Sequence, residues 1–436
     1  MCRRGIPSCR CNHANKGPEA CAGAVRGYVL TAITIPWSFD VWVAQENLDN
    51  KDCLYKMLSV TILGSGYGLI SKIQRLSSAL TPHSITGMAI ASQLPTDYKI
   101  TIVGKHLPGD PQDFDFASQW AGACWVGVPD SAPRDQQLQL DAYAGLWRIA
   151  SEHPESGLRI SDVTEIIEEG MHGSPDTMWF GSKIPGFRLL TPRELPSAAA
   201  WGMTYKSIII SPPVFIKWLR ARLEARGVAF RRMSVESLHQ LKDLGHDILI
   251  NAAGAGSKRL TDVSDSTLVP FRLQSLVIEK EYDQGFIYRG RDGYYFNIFG
   301  RPDGTCYIGG VKDFGNDDRT VYDAQRQIVC FAIEMKGPYS NLPSQILSRG
   351  HKLRPDILPS DKEEDFKVLY DIGSTYMFRQ QKDGGARVEK EIINGQKIVH
   401  AYGQEAGGFS YSFGVARAAS ALVAEFAYEI PVSSRL

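Results

Sequence analysis

A short apolar strand that runs straight into a glycine turn constrains this chain more than any other feature. Val60-Thr61-Ile62-Leu63 is the continuous apolar run expected of a parallel strand buried on both faces. Gly64-Ser65-Gly66 follows it. In a βαβ nucleotide-binding unit, two such glycines make the tight turn and let the backbone approach a diphosphate, which rests on the N-terminus of the next helix. A third glycine belongs three residues further on, where Leu69 stands. The pattern resumes at Ile85-Thr86-Gly87, continues through small residues to Leu94, and reaches a second strand, Tyr98 to Gly104. Joined across the gap, Gly64-Ser65-Gly66-Ile85-Thr86-Gly87 completes the motif. Residues 67–84 therefore read as an insertion into the phosphate loop, with a retained intron as one source. A loop of that length would part the helix start from the strand end it must abut.

Other features narrow the class. Lys+Arg and Asp+Glu both total 48, so a bulk basic field for nucleic acid is missing and no nucleic-acid partner is expected. No uncharged apolar run approaches the ~20 residues of a bilayer span. The nearest, Gly27 to Phe39, is interrupted by Pro36 and bounded by Arg26 and Asp40. Cys2, Cys9, Cys11, Cys21 and Cys53 crowd the first 53 residues, while only Cys124, Cys306 and Cys330 follow. A secreted disulfide framework would be spread through the domain, so the body of the chain reads as reduced. Cys9, Cys11 and His13 fit no strong zinc spacing, and no metal is expected. Met57 opens the apolar strand. Residues 1–56 thus read as an extension outside the fold.

Five later segments carry a family resemblance. Ala117-Ser118-Gln119-Trp120-Ala121-Gly122-Ala123 resembles the A-S-x-W-A-G-A segment of the D-amino-acid oxidase family. A buried strand, His246 to Asn251, ends in the glycine-rich Ala252-Ala253-Gly254-Ala255-Gly256, after a helix from Phe215 to Arg226 and a strand from Val228 to Phe230. Tyr294 to Gly310 resembles a substrate-domain strand pair ending in Gly309-Gly310. His351-Lys352-Leu353-Arg354-Pro355 resembles the family's G-L-R-P. Most specific is His400-Ala401-Tyr402-Gly403-Gln404-Glu405-Ala406-Gly407-Gly408, with Gly414 and Ala416 behind it and Gly384-Gly385-Ala386-Arg387-Val388-Glu389 before it. Glu405 stands where the family signature has a small residue.

The resemblance implies an α/β protein with a Rossmann-type FAD-binding domain and a second, mixed-sheet α+β substrate domain. The first would comprise 57–125 with 207–265 and 385–436, the second 126–206 with 266–384. It implies FAD held by Gly64, Ser65, Gly66, Thr86, Gly87, Lys105, His106, Ala117, Ser118, Ala121, Gly122, Ala123, Val235, Ala406, Gly407, Gly408, Phe409 and Ser410. Small residues suit such contacts because they let backbone amides reach the cofactor. Arg354 would clamp the substrate α-carboxylate, since a guanidinium binds a carboxylate bidentately. Asn297 stands where the family has a substrate-closing tyrosine; Tyr294 and Tyr295 are the neighbours that could replace it, or ordinary strand aromatics. Lys312 stands where members acting on acidic D-amino acids have arginine. It is either a weaker cation for a side-chain carboxylate or a solvated lysine. His400 belongs to the loop scaffold.

The implied reaction is oxidative deamination of a D-amino acid to an imino and then a keto acid, with ammonia and hydrogen peroxide released and oxygen as co-substrate. Positioning is the main contribution asked of the protein. Ser434-Arg435-Leu436 resembles a peroxisomal address read by an import receptor, and a peroxide-forming oxidase suits that organelle; otherwise the chain would be cytoplasmic. Two rivals remain: an amine or imino-acid oxidase of the same fold in secondary metabolism, and an inactive isoform whose phosphate loop is split.

Overall fold

The computed structural model describes residues 28–33, 41–46, 57–64, 85–105, 107, 117–171, 173–291, 295–317, 346–404 and 407–429. Met1–Lys56 and Met57–Arg435 are separate compact units. In the first, β1 (Tyr28–Ile33) pairs antiparallel with β2 (Val41–Glu46), Tyr28 opposite Glu46. The apolar run after Gly27 supplies β1, so this extension holds a sheet of its own.

The second unit begins with β3 (Ser59–Gly64), α1 (Ile85–Gln93) and β4 (Lys99–Gly104). Then come α2 (Ala117–Trp120), α3 (Pro133–Glu152), β5 (Leu158–Glu168), β6 (Arg188–Leu189) and β7 (Ala199–Ile210). These lead to α4 (Pro212–Ala225), β8 (Ala229–Arg232) and β9 (Ile248–Ala252). Next are β10 (Leu268–Glu279), β11 (Gly285–Arg289), β12 (Tyr295–Gly300) and β13 (Thr305–Phe314). The described part closes with α5 (Ile346–Leu353), β14 (Val368–Arg379), β15 (Arg387–Ile393), β16 (Gln396–Tyr402) and α6 (Ser412–Tyr428).

Six strands form one sheet in the order β15-β16-β9-β3-β4-β8, parallel except for β15. Its central strands are covered on both faces, and β9 is buried along its whole length; continuous apolar runs are the sequence consequence. Helix α1 is buried from Ile85 to Ala91. A glycine at the closest approach to the sheet allows that. A Cβ on Gly87 would lie 3.3 Å from Ile62 Cγ2 on β3 and 3.8 Å from Ala252 Cβ on β9. The same economy brings α3 against α6, where Gly414 abuts the Leu138 carbonyl.

The other eight strands run β14-β10-β13-β12-β11-β5-β7-β6. All pairs are antiparallel except β5 with β11. One face, with Val163, Tyr205, Val277, Ile287, Phe299, Tyr307 and Ile372, joins the main core shared with the parallel sheet. The opposite face packs Phe286, Phe296, Ile298 and Ile308 under Leu358. The expected domain boundary at residue 207 falls inside β7, which continues to Ile210 and hydrogen-bonds Ala123. No helix among the described residues is long and apolar enough to cross a membrane.

Candidate active site

The carboxyl ends of the parallel strands gather the distant glycine segments at one place. β3 ends at Gly64, whose Cα is 3.9 Å from a Cβ built on Gly87. A Cβ built on Gly408 would lie 3.9 Å from Ile85 Cγ2, so the loop after β16 meets the start of α1. The Ile85 N–H donates to Ser118 Oγ at 3.3 Å, bringing the third segment to the same helix end. The first turn of α1 carries no acidic residue, so no carboxylate of that turn competes with a bound anion for the helix N-terminus. A diphosphate-bearing cofactor fits this arrangement of glycines and helix N-terminus. Ser65, Gly66, residues 67–84, His106, Glu405, Ala406 and Ser434 to Leu436 lie outside the described residues.

The remaining expected cofactor residues surround this end of the sheet. Thr86 is buried in α1, and Val235 packs with Leu63, Val103 and Leu249. The Lys105 carbonyl, just past β4, accepts a bond from Arg232. Ala117 and Ser118 open α2. Ala123 exchanges backbone bonds with Ile210. Ser410 Oγ accepts the Val126 N–H at 3.2 Å and donates to the Cys124 carbonyl at 3.4 Å, tying the two loops together. Phe409 is buried beside Phe215. The Gly407 carbonyl accepts the Tyr411 N–H.

His400 anchors the scaffold beneath these loops. It is fully buried and sits opposite Asn251 in the β9–β16 pair. Asn251 Oδ1 accepts the Ala253 N–H and the Ser257 hydroxyl, so its Nδ2 donates to His400 Nδ1 at 3.1 Å. That leaves the proton on Nε2, which donates to Glu391 at 3.1 Å. Burial, helped by the Arg387 charge and opposed by Glu391, pushes the imidazole down to about 4. The unfolded chain, with an ordinary histidine near 6.5, binds a proton that the folded one refuses. Stability therefore falls as pH drops through 6.5 towards 4. By pH 5 this group should remove about 2 kcal/mol relative to pH 7.5. Urea midpoints of wild type and His400→Asn at both pH values check this; equal acid losses in the two would rule it out.

The substrate-side residues are placed less as expected. Asn297 lies on β12, opposite Gly309 of β13 and Ile287 of β11, on the face that joins the main core. Its Nδ2 donates to the Tyr295 hydroxyl at 3.2 Å. A Cβ on Gly309 would strike Asn297 Oδ1 at 2.2 Å, which explains the glycine. Tyr295 lies under the Arg289 guanidinium, 5.8 Å from the ring centroid. Arg289 pairs with Glu165 at 2.9 Å, and Glu165 accepts the Tyr205 hydroxyl through its other oxygen. Burial pushes the Tyr205 and Tyr295 hydroxyls up, keeping both protonated. Lys312 is placed by its backbone opposite Leu273.

Arg354 lies apart from Asn297. It follows α5, and its guanidinium is engaged by Asp356, at 2.9 Å through Nε and 2.6 Å through Nη2. It stacks 5.1 Å from the Phe286 ring centroid, and Phe286 belongs to the opposite face of the sheet from Asn297. The Leu-Arg-Pro context suggested a held arginine, and the holder is Asp356, two residues on. Arg354 and Asn297 are not brought together.

Four functional candidates had no signal in the linear sequence. Glu165 and Arg289 are 124 residues apart. Arg301 precedes a Pro-Asp-Gly turn that reads as exposed, yet it is buried. Arg379 ends β14 beside Gly403, donates to Thr267 and the Asp383 carbonyl, and approaches Asp265 at 3.7 Å.

Comparison with known proteins gives a consistent answer. The FAD dependent oxidoreductase family matches residues 85–422, a stretch that opens where the glycine pattern resumes. A D-aspartate oxidase from Talaromyces thermophilus is 29% identical over 349 residues, covering 74% of this chain and 86% of the relative. A D-amino-acid oxidase from Fusarium vanettenii is 28% identical over 341 residues, covering 73% of this chain and 88% of the relative. Among solved structures, glycine oxidase from Geobacillus kaustophilus superposes with a TM-score of 0.58 at 17% identity, covering 86% of this chain and 96% of that one. The last likeness shows a shared fold.

Proposed function

The chain belongs to the FAD dependent oxidoreductase family, and from that premise we propose that it oxidises the α-carbon–nitrogen bond of a D-amino acid. The observation that carries this reading is the meeting of the Gly64, Ser118 and Gly408 segments at the N-terminus of α1. Gly64, Gly87, Ser118, Ala121 to Ala123 and Gly407 to Ser410 would hold the cofactor. When bound, FAD supplies a two-electron acceptor that oxygen regenerates with release of hydrogen peroxide. The chain's part is to bind and orient the amino acid on the β12 face and to exclude water there. The imino product hydrolyses in solution to a keto acid and ammonia. The kinship with a D-aspartate oxidase supports an amino-acid substrate, and Lys312 is the residue we assign to an acidic side chain. Import through Ser434 to Leu436 would place the peroxide it makes in a peroxisome.

A second reading, oxidation of an amine or imino acid without a carboxylate clamp, is favoured by one observation: Arg354 is occupied by Asp356 behind the sheet. A peroxide assay across acidic, basic and neutral D-amino acids decides. We expect turnover by at least one class. Turnover of amines alone would favour the second reading. The same assay, with flavin absorbance, on a chain lacking residues 67–84 is expected to show more bound FAD and higher activity than the full chain. Equal flavin content in both would show that the insertion leaves the phosphate loop intact.

A further inference from the structure

Arg301 is a buried cation that forms no direct ion pair among the described residues. It follows β12 and is only 1% exposed. Its Nε donates to the Gly122 carbonyl at 2.5 Å, Nη2 to the Ala121 carbonyl at 2.9 Å, and Nη1 to the Tyr370 hydroxyl at 3.3 Å. The guanidinium lies 5.4 Å from the Tyr307 ring centroid. Among the described residues no acidic side chain forms an ion pair with it. Asp303, two residues on, commits its oxygens to Ser211 and Thr305.

Such a charge is expensive to bury unless its donors are met. Here they are met largely by the backbone of the Ala121-Gly122-Ala123 segment. Two consequences follow from the bonding. The planar fork fixes two successive carbonyls at once, and so the direction of that backbone. A charge-assisted bond to the Ala121 carbonyl also polarises its peptide group, making the Gly122 N–H a stronger donor. That N–H has no hydrogen-bond partner among the described residues. The positive charge itself acts through a dry interior, where screening is weak.

We propose that Arg301 is a positioning residue for the bound FAD: it holds the Ala121–Ala123 backbone against the cofactor, and its charge, held there without a direct ion pair, favours the reduced cofactor over the oxidised one. This rests on the reading that Ala121–Ala123 line FAD. The charge balance is that two electrons taken up with one proton leave the reduced flavin one unit more negative than the oxidised one, and a nearby cation stabilises that added charge.

The test uses the full chain with FAD, as wild type, R301K and R301M. FAD affinity is measured by calorimetry and the midpoint potential by spectroelectrochemical titration. R301M should bind oxidised FAD about tenfold more weakly, and reduced FAD weaker by a further factor of about ten, a fall of about 30 mV for a two-electron couple. R301K keeps the charge but loses the fork, so its affinity should fall while its potential stays near that of wild type. An unchanged potential in R301M, or equal shifts in R301K and R301M, overturns the proposal. If R301M does not fold, R301Q, which keeps two donors without the charge, carries the same expectation. Wild type without bound FAD also overturns it. Wild type that binds FAD but oxidises no amino acid defeats the functional reading alone, and the potentials still decide this one.

Discussion

Gly414→Ala is expected to destabilise the protein by about 3 kcal/mol or more and to release its flavin. One methyl group is enough because of where it would go. A Cβ on Gly414 would lie 1.8 Å from the Leu138 carbonyl oxygen, 2.6 Å from its carbon and 2.8 Å from its Cα. These are backbone atoms of α3, and no rotamer change relieves the clash. The helices must separate, which strips the packing of Phe413, Val415 and Ala416, all buried. Overpacking a core ordinarily costs about 1–3 kcal/mol when side chains can adjust; a rigid obstacle places this change at the top of that range or above it. Because α6 follows directly on Gly407 to Ser410, the loop facing α1 should move with it. Gly145→Ala is the informative comparison. Its Cβ would meet Phe413 Cβ at 2.8 Å, a shallower overlap than the 1.8 Å at Gly414, so a smaller loss is expected. Denaturant midpoints and the flavin retained after gel filtration check both variants. A Gly414→Ala protein as stable as wild type would mean that α3 and α6 do not approach this closely.

The parts of the fold legible in the sequence are those built from local pattern. β3, β4 and β9 are continuous apolar runs, and α1 announces itself by glycine and alanine where a helix must be squeezed between a sheet and α6. The strand-to-glycine transitions at Gly64 and after Asn251 marked the carboxyl ends of β3 and β9 because their physics is local: a tight turn and a close backbone approach. Helix α3 was readable in principle, since Leu138, Ala142, Leu146 and Ile149 recur at helical spacing and Pro133 marks its start. The substrate face was not. Its polar groups have meaning only in pairs assembled by the eight-stranded sheet, and neither Glu165 on β5 nor Arg289 on β11 carries a mark of its own. Arg354 is the converse case, a residue with a marked local context whose partner in the structure, Asp356, is local too. Arg301 was hidden by its turn, since Pro302-Asp303-Gly304 suggests solvent while the arginine beside it turns inward to two carbonyls.

The ion pair under Tyr295 should be the most damaging polar site to cut. Glu165 is completely buried, and its two oxygens are taken by Arg289 and Tyr205. Replacing it with leucine leaves the Arg289 charge in a mostly dry pocket and frees the Tyr205 hydroxyl. Breaking a buried pair from one side costs about 3–5 kcal/mol. Arg289 keeps some exposure, with its side chain 23% accessible, so the lower end of that range is expected. Removing both charges should cost much less than the sum of the single changes, because most of each single loss is an orphaned partner. A Glu165→Leu, Arg289→Met double variant should therefore recover at least half of what Glu165→Leu loses. The effect should also reach the substrate wall. Arg289 lies over Tyr295, and Tyr295 is the hydrogen-bond partner of Asn297. Glu165→Gln, which preserves shape and keeps one acceptor for Arg289 while its amide donates to the Tyr205 oxygen, should fold and raise KM several-fold with a smaller change in kcat, since binding geometry is what the network sets. Strict additivity of the two single changes, or a Glu165→Gln enzyme with unaltered KM, would show that the pair is structural ballast unconnected to the β12 face.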